Sequence, residues 1–277
     1  MNEDIPTFYV KTLPGTKHFG NGGSGILYTY PDSTTEVVKL PFSSKASTTN
    51  LEIEKRVYQR LGRHPNIIRC VRTEDYGIHL ERPEHNSIRE YYAEGGTATL
   101  EERINWSRDV ANALQYVHEH DVRHADLSGK NVLLDSSRTV RLCDFAGSAI
   151  DDNPCTVWAQ SGYRHPDDDE AEHSTIRAEL HALGSTVFEI ITSSQSHGQV
   201  EEWIVAQWIR EGKYPDIKNV ALGDIIKKCW EGGFKSRRML PRTLKIEASI
   251  SSNSLPSKID APYKLTESHI PRKVLPT

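Results

Sequence analysis

The run "VRHADLSGKNVLL" at residues 122–134 gathers His124, Asp126, Lys130 and Asn131 ahead of an apolar, strand-like tail. An acid, a lysine and an amide held this close together have the makeup of a loop that transfers phosphoryl groups. At two positions where such loops usually carry positive charge, this one holds Ala125 and Ser128. A second acid, Asp144 in "LCDFAGS", follows eighteen residues beyond Asp126, across a stretch (132–143) that reads as a short hairpin. Two acids and an Asn at this separation are hard to assemble by chance. Further upstream, "FGNGGSGILY" spaces Gly20, Gly22 and Gly25 as G-x-G-x-x-G, which lets backbone amides close on phosphate oxygens. A glycine-rich hairpin turn would read similarly. Lys39 ends the β-branched run of "EVVKLP", from where it could hold nucleotide phosphates or merely sit on a sheet edge. Glu54, in "EIEKRVYQRL", could pair with that lysine or be an ordinary solvated helical acid.

Such residues need elements to position them. From about 17 to 82 the chain is rich in β-type runs, "GILYTY", "TEVVKL", "NIIRCV" and "YGIHLE", punctuated by Gly, Pro, Asp and Ser. One helical segment interrupts them, "TTNLEIEKRVYQRLG", with Thr caps before it and Gly62 after it. A β-like run follows the last glycine of the G-x-G-x-x-G, so a dinucleotide-binding strand–turn–helix does not fit. Beyond 85 the period becomes helical. "TLEERINWSRDVANALQYVHEH" puts Leu100, Ile104, Val110, Leu114 and Val117 on one face, and Thr99 with Glu102 forms a capping box. A largely apolar, buried helix is predicted at about 176–193, with shorter helices at 199–211 and 219–230. The Ser-, Pro- and Lys-rich stretch 241–277 shows no periodicity and reads as a loosely ordered or surface-docked tail. The expected class is α+β, with a small β-rich lobe at 17–82 and a larger helical lobe at 83–240.

Composition narrows the functional classes. The 277 residues suffice for two closely joined lobes, and a hydrophobic content of 36% with mean hydropathy −0.57 is on the polar side for a globular chain. A formal charge of −4 argues against nucleic-acid binding. Cys70, Cys143, Cys155 and Cys229 form no C-x-x-C pair, which suits a reduced setting. The start, "MNEDIPTFYV", lacks the bases and apolar stretch of a secretory peptide, and no run is long enough to enter a bilayer. The expectation is a soluble, cytoplasmic protein. His118, His120 and His124 crowd one stretch, but 118 and 120 face different sides of a helix, so a metal cluster is not expected. Cys143 reads as a buried hydrophobe rather than a reactive thiol.

Taken together, "HADLSGKN" and "LCDFAGS" resemble the H-R-D-L-x-x-x-N catalytic loop and D-F-G motif of protein kinases. Further matches run over roughly 17–238: "HPNII", "GYRHPD" where A-P-E is usual, "ELHALGSTVFEI" for the buried helix, "KCW", and Arg237. The D-L-S-x-x-N variant is most similar to small kinase-like domains abundant in fungi. The resemblance implies a bilobal kinase fold, ATP and Mg²⁺ as cofactors, and a protein Ser/Thr hydroxyl as acceptor, with no nucleic-acid or membrane partner. It implies that Asp126 orients or accepts the hydroxyl proton, that Asn131 and Asp144 hold Mg²⁺, and that Lys39, braced by Glu54, holds the α/β-phosphates. Gly20, Gly22 and Gly25 would cover the phosphates. Leu27, Val37 and Leu133 would sandwich adenine, with Leu80 and Glu81 also counted in the nucleotide site.

Several positions depart from that pattern. Besides Ala125 and Ser128, Ala146 stands for the Gly of D-F-G with Gly147 next, Asp167 for the Glu of A-P-E, and Glu179 for the Asp of the buried helix. None removes a residue expected to bind metal or take the proton. Lys130 is expected to supply the charge missing at Ser128, and Asp167 to pair with Arg237. The competing readings are a nucleotide-binding pseudokinase scaffold and a small-molecule phosphotransferase.

Overall fold

The computed structural model describes residues 13–166, 174–198 and 200–234. The proposed Asp167–Arg237 pair and the 241–277 tail lie outside the described residues.

The first region holds β1 (Lys17–Asn21), β2 (Ile26–Thr29), β3 (Glu36–Leu40), α1 (Lys45–Leu61), β4 (Cys70–Glu74) and β5 (Gly77–Glu81). The strands form one antiparallel sheet in the order β1-β2-β3-β5-β4. Side chains alternate across a sheet, and the register uses this. Ile26, Tyr28, Val38 and Leu40 bury one face as a small cluster. The partners Leu27↔Lys39 and Val37↔Leu80 share the opposite face, where Val37 and Leu80 join Leu51, Val57 and Leu61 of α1 in the main core. The β-branched run therefore delivers Lys39 toward α1 and the second region.

That region comprises α2 (Ile88–Ala93), α3 (Leu100–Glu119), the short strands β6 (Val122–Arg123), β7 (Val132–Leu134), β8 (Val140–Leu142) and β9 (Ala149–Ile150), then α4 (Ile176–Thr192), α5 (Glu202–Arg210) and α6 (Gly223–Trp230). α3 has the expected Thr99–Glu102 capping box and buries Ile104, Val110, Leu114 and Val117. α4 is buried from Ala178 to Ile191, as its apolar run requires. α6 anchors to it through Trp230, whose indole Nε1 donates to Ser185 at 2.9 Å. Among the described residues no helix is long and apolar enough to cross a membrane.

Local differences from the sequence expectations have local causes. α1 starts at Lys45 because Ser44 caps it, its side chain accepting from the Ser47 amide, so Thr48 and Thr49 lie inside the helix. β1 was hidden by a bulge between His18 and Gly20, and α2 by its six-residue length, though Ser87 and Glu90 form a capping box there. In "NIIRCV" only Cys70 and Val71 enter a strand. Ile67 and Ile68 sink into the core, and the Ile68 amide donates to Leu142 O at 2.9 Å. α5 and α6 begin at Glu202 and Gly223, the latter behind Leu222 at φ 60°.

Candidate active site

Two loops carry the acids, and backbone bonds fasten them side by side. The hairpin β7–β8 separates the 3₁₀ turn Gly129–Asn131 from Asp144. The Cys143 amide donates to Asn131 O at 3.0 Å. His124, fully buried, accepts the Asp126 amide at Nδ1 (3.3 Å), which leaves Nε2 to donate to Cys143 O at 2.9 Å. Phe145 fixes the second loop from below, edge-on to Tyr58 at 5.4 Å and against His124 at 5.0 Å. Asp144 takes a φ of 62°, a left-handed conformation that Asp tolerates better than most residues.

On the sheet side, Lys39 Nζ donates to Glu54 Oε2 at 2.7 Å and to Asp144 Oδ1 at 2.6 Å. Glu54 is fully buried, and its Oε1 accepts the Phe145 amide. Burial by itself would lower the Lys39 pKa, but the carboxylates of Asp144 and Glu54 outweigh it and hold the ammonium form well above its ordinary range. Burial would likewise raise Asp144, yet Lys39 and the Ser24 hydroxyl keep its carboxyl below the ordinary value. The result is an ionised carboxylate at the mouth of the second loop, as a divalent cation requires.

The glycine turn closes over this point. Ser24 Oγ donates to Asp144 Oδ1 at 2.8 Å, and its carbonyl accepts from Ser47 Oγ at 2.9 Å. Gly25 has no substitute: a Cβ there would lie 2.3 Å from Leu40 O. Neither Ser24 nor Ser47 was read from sequence as part of the site, since Ser24 meets Asp144 across 120 positions and Ser47 enters only through Ser24.

In the first loop, Asp126 Oδ2 receives Asn131 Nδ2 at 3.2 Å and Lys130 Nζ at 2.9 Å. Asn131 Nδ2 also donates to Asp126 O at 2.7 Å. Asp126 Oδ1 is buried and has no partner among the described residues. The carboxylate is thus held through one oxygen, and the other is left with its hydrogen-bonding capacity unspent. Ser128 is fully buried and its hydroxyl unpartnered, so it contributes nothing to the surface of the cleft.

The loop itself hangs from α4. Glu179 Oε1 accepts the Ala125 amide at 2.6 Å, and Oε2 pairs with His118. Glu189 accepts the Gly129 amide at 3.0 Å, together with Arg89 and the Tyr163 hydroxyl. This second support was missed from sequence, although a Glu inside the apolar "VFEII" signalled a buried charge in need of partners. Ala146 is not strained; Gly147 takes the positive φ of 84° instead. His118 is buried on Glu179 while His120 caps α3 with its ring tilted against Tyr116, and no metal-binding cluster of His, Cys, Asp or Glu occurs among the described residues. Cys143 is half-buried, with a thiol that burial pushes up and so keeps unreactive.

Of the other expected nucleotide residues, Leu27 and Leu133 are partly buried against the main core beside Val37 and Leu80. Glu81 ends β5, pairing across to Glu36.

The comparisons agree with this geometry. The chain is 25% identical over 201 residues to the 3-phosphoinositide-dependent protein kinase 1 of Arabidopsis thaliana, covering 65% of this chain and 41% of the relative. It is 27% identical over 224 residues to the cysteine-rich receptor-like protein kinase 6 of Oryza sativa subsp. japonica, covering 72% and 31%. To the probable serine/threonine-protein kinase PknB of Lactococcus lactis it is 22% identical over 228 residues, covering 77% and 36%. The chain thus spans less than half the length of each of these relatives. The family model for the protein kinase domain matches residues 15–243, and with the catalytic loop, paired lysine and second acid in place, the chain belongs to the protein kinase family.

Proposed function

We propose that the chain transfers the γ-phosphoryl group of ATP to a serine or threonine hydroxyl of a protein. The observation that carries this reading is the contact of Lys39 with Glu54 and Asp144, on a loop fastened by the Cys143–Asn131 backbone bond beside Asp126, whose Oδ1 has no partner among the described residues. The residues present suit Mg²⁺: Asp144 is held ionised, and Asn131 offers an amide oxygen, its Nδ2 being spent on Asp126. Bound there, the ion would neutralise charge on the phosphates. Lys39 binds and orients the nucleotide, and the amides around Gly20, Gly22 and Gly25 cover it. Asp126 orients the acceptor hydroxyl and takes its proton while that oxygen bonds to the γ-phosphorus and ADP leaves. Little covalent chemistry falls to the protein, so positioning and charge carry the rate. The test is labelled ATP with generic protein substrates, wild type against Asp126→Asn. Removing the group that takes the proton is expected to cost about 10²–10⁴ in rate. Equal labelling by both would sink the reading.

Lys130 is expected to steady charge on the transferring group, since its ammonium is already at Asp126. A charged hydrogen bond contributes roughly 1.5–3 kcal/mol, so Lys130→Ala should lower kcat about ten- to a hundredfold with a smaller rise in KM. Unchanged kcat would remove Lys130 from the reaction.

Activity is also expected without phosphorylation of the segment between Asp144 and Pro166. Asp151 already pairs with Arg60 at 2.6 Å and Arg56 at 3.2 Å on α1, and the Thr156 hydroxyl donates to Asn50 at 2.6 Å. Tyr163 is buried with its hydroxyl on Glu189. The Asp151 pairs are exposed and screened by solvent, so they hold the segment only weakly. Ala125 rather than an Arg directly precedes Asp126, however, so the loop brings less repulsive charge for a phosphate to relieve. Phosphatase treatment should leave the rate within about twofold. A large fall, absent in Thr156→Ala, would show a phosphorylation switch.

A further inference from the structure

The first turn of α1 carries a buried hydroxyl that the phosphoryl-transfer chemistry leaves unused. Ser47 stands at the third helical position behind the cap Ser44, and its amide donates to Ser44 Oγ at 3.1 Å. Glutamate or glutamine is common at that position because it reaches back to the cap amide. Serine is too short for this, and the hydroxyl of Ser47, a residue 6% exposed, goes elsewhere. Its Oγ accepts the Phe42 amide at 2.9 Å, just past β3, and donates to Ser24 O at 2.9 Å in the glycine turn. One short side chain thus joins a strand end, a helix and the turn.

The turn has need of such a hold. One end is fixed by packing, since Gly25 lies so close to Leu40 O that a Cβ would come within 2.3 Å of it, and Gly22 N donates to Gly25 O at 2.8 Å. The glycines otherwise leave the backbone a wide choice of conformations. At Ser24 the turn is held twice, by its hydroxyl on Asp144 and by its carbonyl on Ser47. The first bond draws on the acid proposed to hold the cation; the second draws on α1.

Helical geometry ties this contact to the lysine. Ser47 and Glu54 are two turns apart, so they share one face at a spacing of about 10 Å along the axis. The buried stripe Ser47, Leu51, Glu54 and Tyr58 runs along it. Glu54 holds Lys39 at 2.7 Å while Ser47 holds the turn between β1 and β2. A tilt or rotation of α1 that released one would release the other.

We propose that Ser47 is a positioning residue: through the Ser24 carbonyl it seats the glycine turn on α1, so that the face bracing Lys39 also sets how long a nucleotide is held. The effect on ATP rests on the reading of phosphoryl transfer, whereas the seating of the turn stands on the bonds themselves.

Two measurements on the full chain separate these. Hydrogen–deuterium exchange over residues 20–27 reads the turn without any ligand. Stopped-flow release of N-methylanthraniloyl-ATP with Mg²⁺ reads the hold on nucleotide. Ser47→Ala should speed both about two- to tenfold, the worth of one hydrogen bond, and should raise KM for ATP more than it lowers kcat. Ser47→Thr keeps the hydroxyl and should stay within about twofold of wild type. Thr99→Ala removes the N-cap of α3, so it should lower the melting temperature yet change neither rate. Unaltered exchange and release in Ser47→Ala, or an equal speeding in Thr99→Ala, overturns the proposal. An analogue that binds neither wild type nor variant sinks the nucleotide reading instead, and exchange still decides whether Ser47 seats the turn.

Discussion

Lys39→Ala is expected to abolish transfer and also to weaken the fold. Lys39 is 4% exposed and Glu54 0%, so removing the ammonium strands a carboxylate in the core. Breaking one side of a buried pair costs roughly 3–5 kcal/mol, on the order of 10 °C in melting temperature for a chain of this size. The loss should depend on pH. Burial already pushes the Glu54 pKa upward, with Lys39 as the chief opposing influence. Without Lys39 that carboxyl stays protonated to higher pH. A group whose folded pKa lies above its unfolded value stabilises below the unfolded pKa and loses this as pH rises through the folded one. The variant should therefore approach wild-type stability in mild acid and fall behind as pH rises above the ordinary carboxylate range. Lys39→Met with Glu54→Gln should restore most of the melting temperature without restoring transfer, because it leaves no charge unmet at the buried Glu54 position, while the partly exposed Asp144 keeps the Ser24 hydroxyl. Thermal melts of the single and double variants across pH check this. An unchanged melt for Lys39→Ala would mean that Glu54 is solvated after all.

What was legible in the sequence was whatever rests on short spacing. Asp126 and Asn131 share one turn, and a hairpin of a dozen residues sets Asp144 beside them. Strand alternation places Lys39 on the face of Val37 and Leu80, and the helical period brings Glu54 to meet it. Helix ends were legible where one residue decides them, as with Thr99 and Gly62, and not where a cap lay further back, as with Ser44. Long-range polar contacts left no pattern to read. Arg89 meets Glu189 a hundred residues away, and Ser24 meets Asp144 over a similar distance, through side chains with no periodic neighbours. Their partners are fixed by packing alone. The departures at Ala125 and Glu179 could be seen but not weighed until one was found bonded to the other.

That bond carries the second large effect. Ala125 sits at φ 69°, a left-handed conformation costing an alanine roughly 1–2 kcal/mol, and something must hold it there. Glu179, 2% exposed on α4, does so by accepting the Ala125 amide with one oxygen while the other pairs with His118 on α3. Its reach to both partners uses the full length of a glutamate. Asp126 follows directly, so relaxation at 125 displaces the carboxylate proposed to take the proton. Glu179→Ala should cost roughly 3–5 kcal/mol in stability, as for one half of a buried pair. It should also lower kcat about a hundredfold, the usual penalty for an ångström of misplacement, with KM for ATP little changed because Lys39 and the glycine turn lie in the sheet of the first region. Glu179→Asp should retain one contact and fall between. Glu179→Gln keeps an acceptor for Ala125 and should preserve most of kcat while losing the His118 charge partnership. Burial would raise the Glu179 pKa, yet the His118 contact and the Ala125 amide leave it below the ordinary value. Its contribution is thus fully present above the unfolded pKa and is lost as pH falls through the lower folded one. Urea unfolding at neutral and acid pH, paired with kcat measured where each variant is still folded, separates the two roles. If folded Glu179→Ala turns over at the wild-type rate, Ala125 is held by something other than α4, and Glu179 is a structural acid alone.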